Sequence, residues 1–132
     1  MNRSYLDASA IVKLGFFEAE SQALIDYLSE QHLWLATSVV ADVEVRGALN
    51  RLKPRGADSD EHVRGFFLIE LSRNIRDRAV EFSSALRALD AIHLATAISI
   101  DDDFDFVTYD DRLASAAGAA GLRVVQPGRM GP

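Results

Sequence analysis

Short apolar runs alternate with longer segments of helical periodicity along this chain. The runs are typical of strands buried on both faces, and the segments between them repeat apolar residues every three or four positions. This alternation predicts an α/β fold, a sheet with helices packed on both of its faces. The 132 residues, 48% of them hydrophobic, can bury one core but are too few for two ordinary domains. We therefore expect a single domain over residues 1–132.

The individual elements follow from the apolar spacing and from capping residues. We expect strands at Ser4–Asp7, Leu33–Ala36, Phe104–Thr108 and Arg123–Val125, and helices near residues 10–14, 20–30, 39–51, 75–86, 89–100 and 112–120. Ser9 is expected to cap the first helix, Thr37 or Ser38 the third, and Gly121 to end the last. The segment Pro54–Asp58 should break the third helix. Residues 62–71 fit a helix or, at Leu68–Leu71, a short strand, and periodicity does not separate these alternatives.

Four carboxylates occur inside segments where a folded chain normally places apolar side chains. They are Asp7, Glu44, Asp90 and Asp110, and no Lys or Arg directly adjoins the first three in sequence. Burying an ionised carboxylate is unfavourable unless a cation compensates it. Asp7 and Asp110 follow predicted strands, at the edge where parallel sheets form ligand crevices, and Glu44 and Asp90 lie on otherwise apolar helix faces, directed inward. A shared divalent metal explains all four together.

The available ligands favour a hard cation. The chain has no cysteine and only three histidines, which leaves mainly oxygen ligands and favours Mg²⁺ or Mn²⁺. One or two such ions lower the pKa of a bound water and present it to a phosphodiester. Ser9 and Thr108 each stand beside a predicted ligand and are expected either to orient it or to serve as capping or turn residues. We interpret His93, one turn from Asp90, as a packed core residue within hydrogen-bonding reach of that carboxylate, not as a catalytic group.

Net charge and hydropathy bear on the partners and the cellular location of the chain. The net charge is −6, yet a carboxylate cluster is partly neutralised by its own ions, so this charge does not exclude nucleic acid. Arg46, Arg51, Lys53 and Arg55 form either a phosphate-facing patch or a solvated helix end. No apolar stretch approaches the roughly 20 residues that span a bilayer, and the N-terminus lacks a signal-peptide pattern. We therefore expect a cytoplasmic protein.

Four short stretches resemble the acidic motifs of PIN domains and, more narrowly, those of the VapC toxins of toxin-antitoxin systems. They are Tyr5–Ala10, Val43–Leu49, Leu89–Ala95 and Val107–Asp110. The resemblance implies a three-layer α/β/α sandwich with a mostly parallel central sheet, and a magnesium- or manganese-dependent endoribonuclease that cleaves RNA. It also implies a homodimer and a small antitoxin whose C-terminal segment blocks the active site.

The same resemblance assigns the acids. By motif match, Asp7, Glu44, Asp90 and Asp110 take the catalytic and metal-binding positions of the family. Asp111 directly follows Asp110 and is the alternative for the fourth position, although the Thr-x-Asp spacing favours Asp110.

Two other functions compete with a nuclease. A phosphoacceptor signalling domain also places acids at strand ends, but it needs an acidic pair after the first strand and a lysine beyond a later one, and neither Lys13 nor Lys53 fits. A non-catalytic PIN-like scaffold that binds another protein is expected to have lost some of the acids, and all four are present here. The sequence does not identify the RNA that is cut.

Overall fold

The computed structural model describes residues 3–31, 34–52 and 64–129. The predicted helix break at Pro54–Asp58 lies outside these residues. The strands are β1 (Arg3–Leu6), β2 (Trp34–Ser38), β3 (Phe66–Ile69), β4 (Asp105–Val107) and β5 (Arg123–Val125). The helices are α1 (Ala8–Gly15), α2 (Ser21–Gln31), α3 (Val39–Leu52), α4 (Arg73–Glu81), α5 (Ala88–Ile98) and α6 (Asp111–Ala119).

The strands of the described residues form one parallel sheet in the order β3-β2-β1-β4-β5. The chain proceeds outward from β1 through β2 to β3, then returns to add β4 and β5 on the other side of β1. The winding direction therefore reverses between β1 and β4. In open parallel sheets, such a reversal opens a crevice at the carboxyl ends of the two strands.

Side chains alternate across this sheet and bury a helix layer on each face. Tyr5 and Phe106 point to the face covered by α4, α5 and α6, whereas Leu6 and Val107 point to the face covered by α1, α2 and α3. All four side chains are fully buried, and burying a large apolar side chain stabilises a fold by roughly 1.5–3 kcal/mol. The fold is the predicted three-layer α/β/α sandwich.

Three local predictions change in the structure. Asp7, not Ser9, caps α1, because the Asp7 side chain accepts from the backbone N–H of Ala10 while Ser9 lies within the helix. Of the two alternatives for residues 62–71, the structure has the strand, as β3, which pairs with β2 and begins and ends two residues before the predicted Leu68–Leu71; His62 and Val63 lie outside the described residues.

Helix α4 ends at Glu81, earlier than the predicted Leu86. The Ser83 hydroxyl donates to the carbonyl of Val80 at 2.7 Å, which is the kind of side-chain bond that competes with helix continuation. By contrast, Ser38 accepts from the backbone N–H of Val40 at 3.2 Å at the start of α3, as predicted. No helix within the described residues is long and apolar enough to cross a bilayer.

Candidate active site

Asp7 lies in the crevice between β1 and β4 and joins the ends of both strands. Its Oδ1 accepts hydrogen bonds from the Ser9 hydroxyl at 2.7 Å and from the backbone N–H of Ala10 at 3.0 Å. Its Oδ2 accepts from the Thr108 hydroxyl at 2.6 Å, and its backbone N–H donates to the carbonyl of Val107 at 3.2 Å. Ser9 therefore contacts the acid beside it, as predicted, whereas the carboxylate that Thr108 contacts is Asp7 and not that of the nearby Asp110.

The electrostatic position of Asp7 is unfavourable for a free carboxylate. The residue is only 3% exposed, and in the described part of the chain its partners are hydroxyl and backbone donors, not a Lys or Arg. Burial raises the pKa of Asp7 above its ordinary value, although nearby His93 and the hydrogen bonds from Thr108, Ser9 and Ala10 act to lower it. A buried anion of this kind gains most from a nearby cation.

Glu44 is connected to the protein core through His93. The Nε2 atom of His93 lies 2.8 Å from Glu44 Oε1, and its Nδ1 atom lies 2.7 Å from the Tyr5 hydroxyl. Because a carboxylate only accepts hydrogen bonds, we infer that Nε2 carries the proton facing Glu44. The other ring nitrogen therefore faces the hydroxyl of Tyr5, whose pKa is raised well above its usual value by burial.

This arrangement modifies the sequence interpretation of His93. The side chain is buried, with 1% of the residue exposed, as predicted. Its carboxylate partner, however, is Glu44 and not Asp90. His93 lies on α5 and Glu44 on α3, so the contact links the two helix layers across the sheet edge, a proximity that spacing along one helix does not reveal.

Arg87 bridges Asp90 and Asp110. Its Nη2 atom lies 3.2 Å from Asp90 Oδ2 and 3.5 Å from Asp110 Oδ2. Asp90 lies in the first turn of α5, and Asp110 caps α6, with side chains 13% and 27% exposed. The side chain of Asp111 is 88% exposed and pairs with Arg129. Of the two neighbouring acids, Asp110 is therefore the one that lies next to Asp90.

Further contacts bring the four acids to the same edge of the sheet. Glu44, Arg87 and Asp90 line one depression of about 270 Å³. The Thr108 hydroxyl, which donates to Asp7, also accepts from the backbone N–H of Asp110 at 3.1 Å. Asp7 and Asp110 are thus held through one side chain, while Glu44 and Asp90 share one depression.

The donor set has the chemistry of a divalent metal site, but each acid is satisfied by donors of the chain itself. Within residues 3–31, 34–52 and 64–129, no three Asp, Glu or His side chains form a group able to hold one ion. Carboxylate oxygens are nevertheless the ligands that Mg²⁺ prefers, and Asp7 is a buried anion without a Lys or Arg partner in that part of the chain. Composition and burial therefore fit a hard cation.

A groove of about 890 Å³ opens beside Glu44, lined by residues of α1 and α3 among others. Val40, Gly47 and Ala48 line this groove, whereas Val45 and other α3 side chains pack into the core. Glu44 itself reaches inward to His93, but the other residues of its stripe face the groove and not, as predicted, the sheet. The apolar residues of α3 lie on more than one face of the helix, and the face that contains Glu44 borders the groove.

The predicted basic patch is only partly described. Arg51 lines the groove, and Arg46 forms a bidentate contact with Asp42, one turn earlier on α3, at 2.9 and 2.7 Å. Lys53 and Arg55 lie outside the described residues.

Two contributors to the site escaped the sequence analysis. Arg87 stands three positions before Asp90, a spacing that brings side chains together on a helix, so a signal for this pair was present. Tyr5 carried no such signal, because it lies inside a strand-like apolar run and its partner His93 is 88 positions away.

Comparison with known proteins identifies the family. The model of the PIN domain matches residues 4–119. The chain is similar to Ribonuclease VapC35 of Mycobacterium tuberculosis, with 41% identity over 131 residues that cover 95% of this chain and 97% of the relative. It is also similar to Ribonuclease VapC46 of the same organism, with 35% identity over 93% of this chain and 96% of the relative.

Solved structures share the fold at lower sequence identity. The crystal structure of Mycobacterium tuberculosis VapC20, described as a sarcin-ricin loop cleaving toxin, has a TM-score of 0.75 at 17% identity and covers 94% of this chain and 99% of its own. A toxin-antitoxin complex from Klebsiella pneumoniae contains a chain with a TM-score of 0.73 at 22% identity, covering 94% of this chain and 97% of its own. The protein therefore belongs to the PIN domain family, in which its relatives are VapC ribonucleases.

Proposed function

We propose that this chain is a single-domain, metal-dependent endoribonuclease that acts as the toxin of a toxin-antitoxin pair. One observation carries the proposal: Asp7 and Asp110 share the Thr108 hydroxyl, Glu44 and Asp90 line one depression, and Asp7 is buried without a Lys or Arg partner in the described residues. Relatives up to 41% identical over nearly the whole chain are named ribonucleases, which supports RNA as the substrate.

In this proposal, Asp7, Glu44, Asp90 and Asp110 are the catalytic acids and hold Mg²⁺ or Mn²⁺. When bound, the ion supplies a Lewis acid that activates water and stabilises charge developing on the phosphodiester. The chain's own contribution is orientation. Hydroxyl groups of Ser9 and Thr108 hold Asp7, and His93 holds Glu44, so the carboxylates lose little conformational freedom when a ligand binds.

The groove beside Glu44 supports the proposal of an antitoxin partner. Its lining includes exposed apolar side chains, Val43 at 70% and Leu89 at 45% exposure, and it reaches one of the proposed catalytic acids. We propose that the C-terminal segment of a small antitoxin occupies this groove and blocks the acids. Structures similar to this chain include toxin-antitoxin complexes, which supports such a partner, and we propose a homodimer on the family resemblance.

Cleavage of a mixed pool of transfer, ribosomal and messenger RNA by the purified protein tests the proposal. We expect cutting with Mg²⁺ or Mn²⁺, none with chelator, and none by Asp90→Asn. The matched control is Asp103→Asn, which makes the same charge change at an exposed position and should cut as the parent does.

Two outcomes would contradict a metal-dependent nuclease. Undiminished cutting by Asp90→Asn or in chelator would remove the acids or the metal from the reaction. No cutting by protein shown free of antitoxin would favour the alternative, a non-catalytic PIN-like scaffold that binds another protein.

A further inference from the structure

Arg87 makes unusual contacts for a residue that immediately precedes a helix. It is the N-cap of α5, yet its side chain makes no capping hydrogen bond. The guanidinium instead contacts Asp90 through both Nε and Nη2, each 3.2 Å from Oδ2, and Asp110 through Nη2 at 3.5 Å. The side chain is 76% exposed, so its charged end reaches the acids from the solvent side.

The contact places one positive charge between two carboxylates on different elements. Asp90 and Asp110 are both largely enclosed, and two such charges close together repel each other strongly in the absence of a cation. Within the described residues, the basic side chain that pairs with Asp90 and with Asp110 is that of Arg87. It therefore supplies the counter-charge that a metal ion would otherwise supply.

We propose that Arg87 is a displaceable counter-ion, which neutralises the Asp90–Asp110 pair in the metal-free protein and competes with a divalent cation for it. This inference rests on the proposed metal-binding role of these acids. An exposed arginine pair contributes little net stability, so the guanidinium can leave the pair at small cost. The competition lowers the affinity for metal without abolishing it.

The proposal predicts how Arg87→Gln changes two quantities, the melting temperature of the metal-free protein and the affinity for Mn²⁺. Arg87→Gln removes the counter-charge, so the metal-free protein should melt at the same or a slightly lower temperature. The same change removes a competing cation, so Mn²⁺ should bind about three- to tenfold more tightly. A residue that only supported the fold would lower the melting temperature without improving the binding of metal.

Isothermal titration with Mn²⁺ and thermal melts at matched Mn²⁺ concentrations test this on the full chain. The control is Arg73→Gln, which makes the same charge change on neighbouring helix α4, where Arg73 pairs with Asp77 at 3.7 Å. We expect Arg73→Gln to bind Mn²⁺ as the parent does. Arg87→Lys keeps the charge but not the forked geometry, and its affinity should fall between those of the parent and Arg87→Gln.

The possible failures are distinguishable. Unchanged or weaker Mn²⁺ binding by Arg87→Gln, with the parent binding normally, would overturn the counter-ion role and make Arg87 a support for the ligands. An equal gain in Arg73→Gln would also overturn it, since the effect would then be one of net charge. If neither the parent nor Arg87→Gln binds Mn²⁺, the proposed metal site and the competition both fail.

Discussion

Neutralising Asp7 should stabilise the metal-free protein, although the residue is almost completely buried and well hydrogen-bonded. The substitution is Asp7→Asn, which keeps the shape of the side chain. The Asn oxygen can accept the same bonds from Ser9 and Ala10 that Oδ1 accepts now. Its amide nitrogen, however, faces the Thr108 hydroxyl, which must then accept a hydrogen bond instead of donating one.

The magnitude follows from two opposing terms. Losing the charge-assisted bond from Thr108 costs about 1.5–3 kcal/mol, while removing a buried charge recovers a desolvation penalty of several kcal/mol. The raised pKa of Asp7 indicates that desolvation outweighs the hydrogen bonds and His93. The difference between the two general terms gives an expected net gain of about 1 kcal/mol. For 132 residues, an unfolding entropy of about 2.1 cal/mol/K per residue converts this into a melting temperature roughly 4 °C higher.

The sign of the pH dependence follows from the same shift. The folded pKa of Asp7 lies above the unfolded value of about 3.9. Above the raised folded pKa the carboxylate is ionised in both states and the folded state bears the full penalty, whereas below about pH 3.9 it is neutral in both and the penalty vanishes. The advantage of Asp7→Asn is therefore complete above the raised folded pKa and disappears as the pH falls through it.

Thermal melts of the parent, Asp7→Asn and the exposed control Asp103→Asn, each with chelator and with Mn²⁺, measure these effects. At an Mn²⁺ concentration 100-fold above its dissociation constant, the parent should gain about 2.7 kcal/mol, or roughly 10 °C. Asp7→Asn should lose most of this gain, and Asp103→Asn should keep it. A metal-free Asp7→Asn that melts several degrees below the parent would refute the reasoning, because Asp7 would then be chiefly a stabilising helix cap.

Two further predictions concern the other acids and their support. Asp110→Asn should abolish RNA cleavage. Asp111→Asn should leave the cleavage rate within about twofold of the parent, because the exposed side chain of Asp111 does not reach the other acids. Equal losses of cleavage by the two variants would contradict this assignment. His93→Leu should lower the cleavage rate about 10- to 100-fold by releasing Glu44, and Tyr5→Phe, which removes only the far hydroxyl, should lower it less. Full activity of His93→Leu in a single-turnover assay would show that Glu44 needs no such support.

The secondary structure was predictable where buried apolar residues recur at a regular spacing along the segment. Strands β1 and β5 and helices α2, α3, α5 and α6 lie within two residues of the predicted bounds, since their apolar spacing indicates which face is buried. Strand β3 was ambiguous, because the apolar residues of the segment 62–71 fit a helix as well as a short strand. Pairing with β2 decides its conformation, and that pairing depends on residues about 30 positions away.

The candidate site divides in a similar way. Each of the four acids was found because it interrupts an apolar pattern, which is a local property of the sequence. Two contacts of these acids were not predictable, because each joins residues on different elements. Glu44 meets His93 across the sheet edge, and Arg87 reaches Asp110 on a different helix. Neither distance is encoded in the spacing along one element.

Local chemistry along the chain was therefore sufficient for the fold class, for most of its elements and for the choice of four candidate acids. The alternation of apolar segments and the four carboxylates embedded in them are readable without coordinates. The winding reversal between β1 and β4 sets the mutual position of these acids. Whether a buried carboxylate is balanced by hydroxyls, by His93 or by Arg87 depends on distances of a few ångströms between chain segments, and only the packed tertiary structure defines those distances.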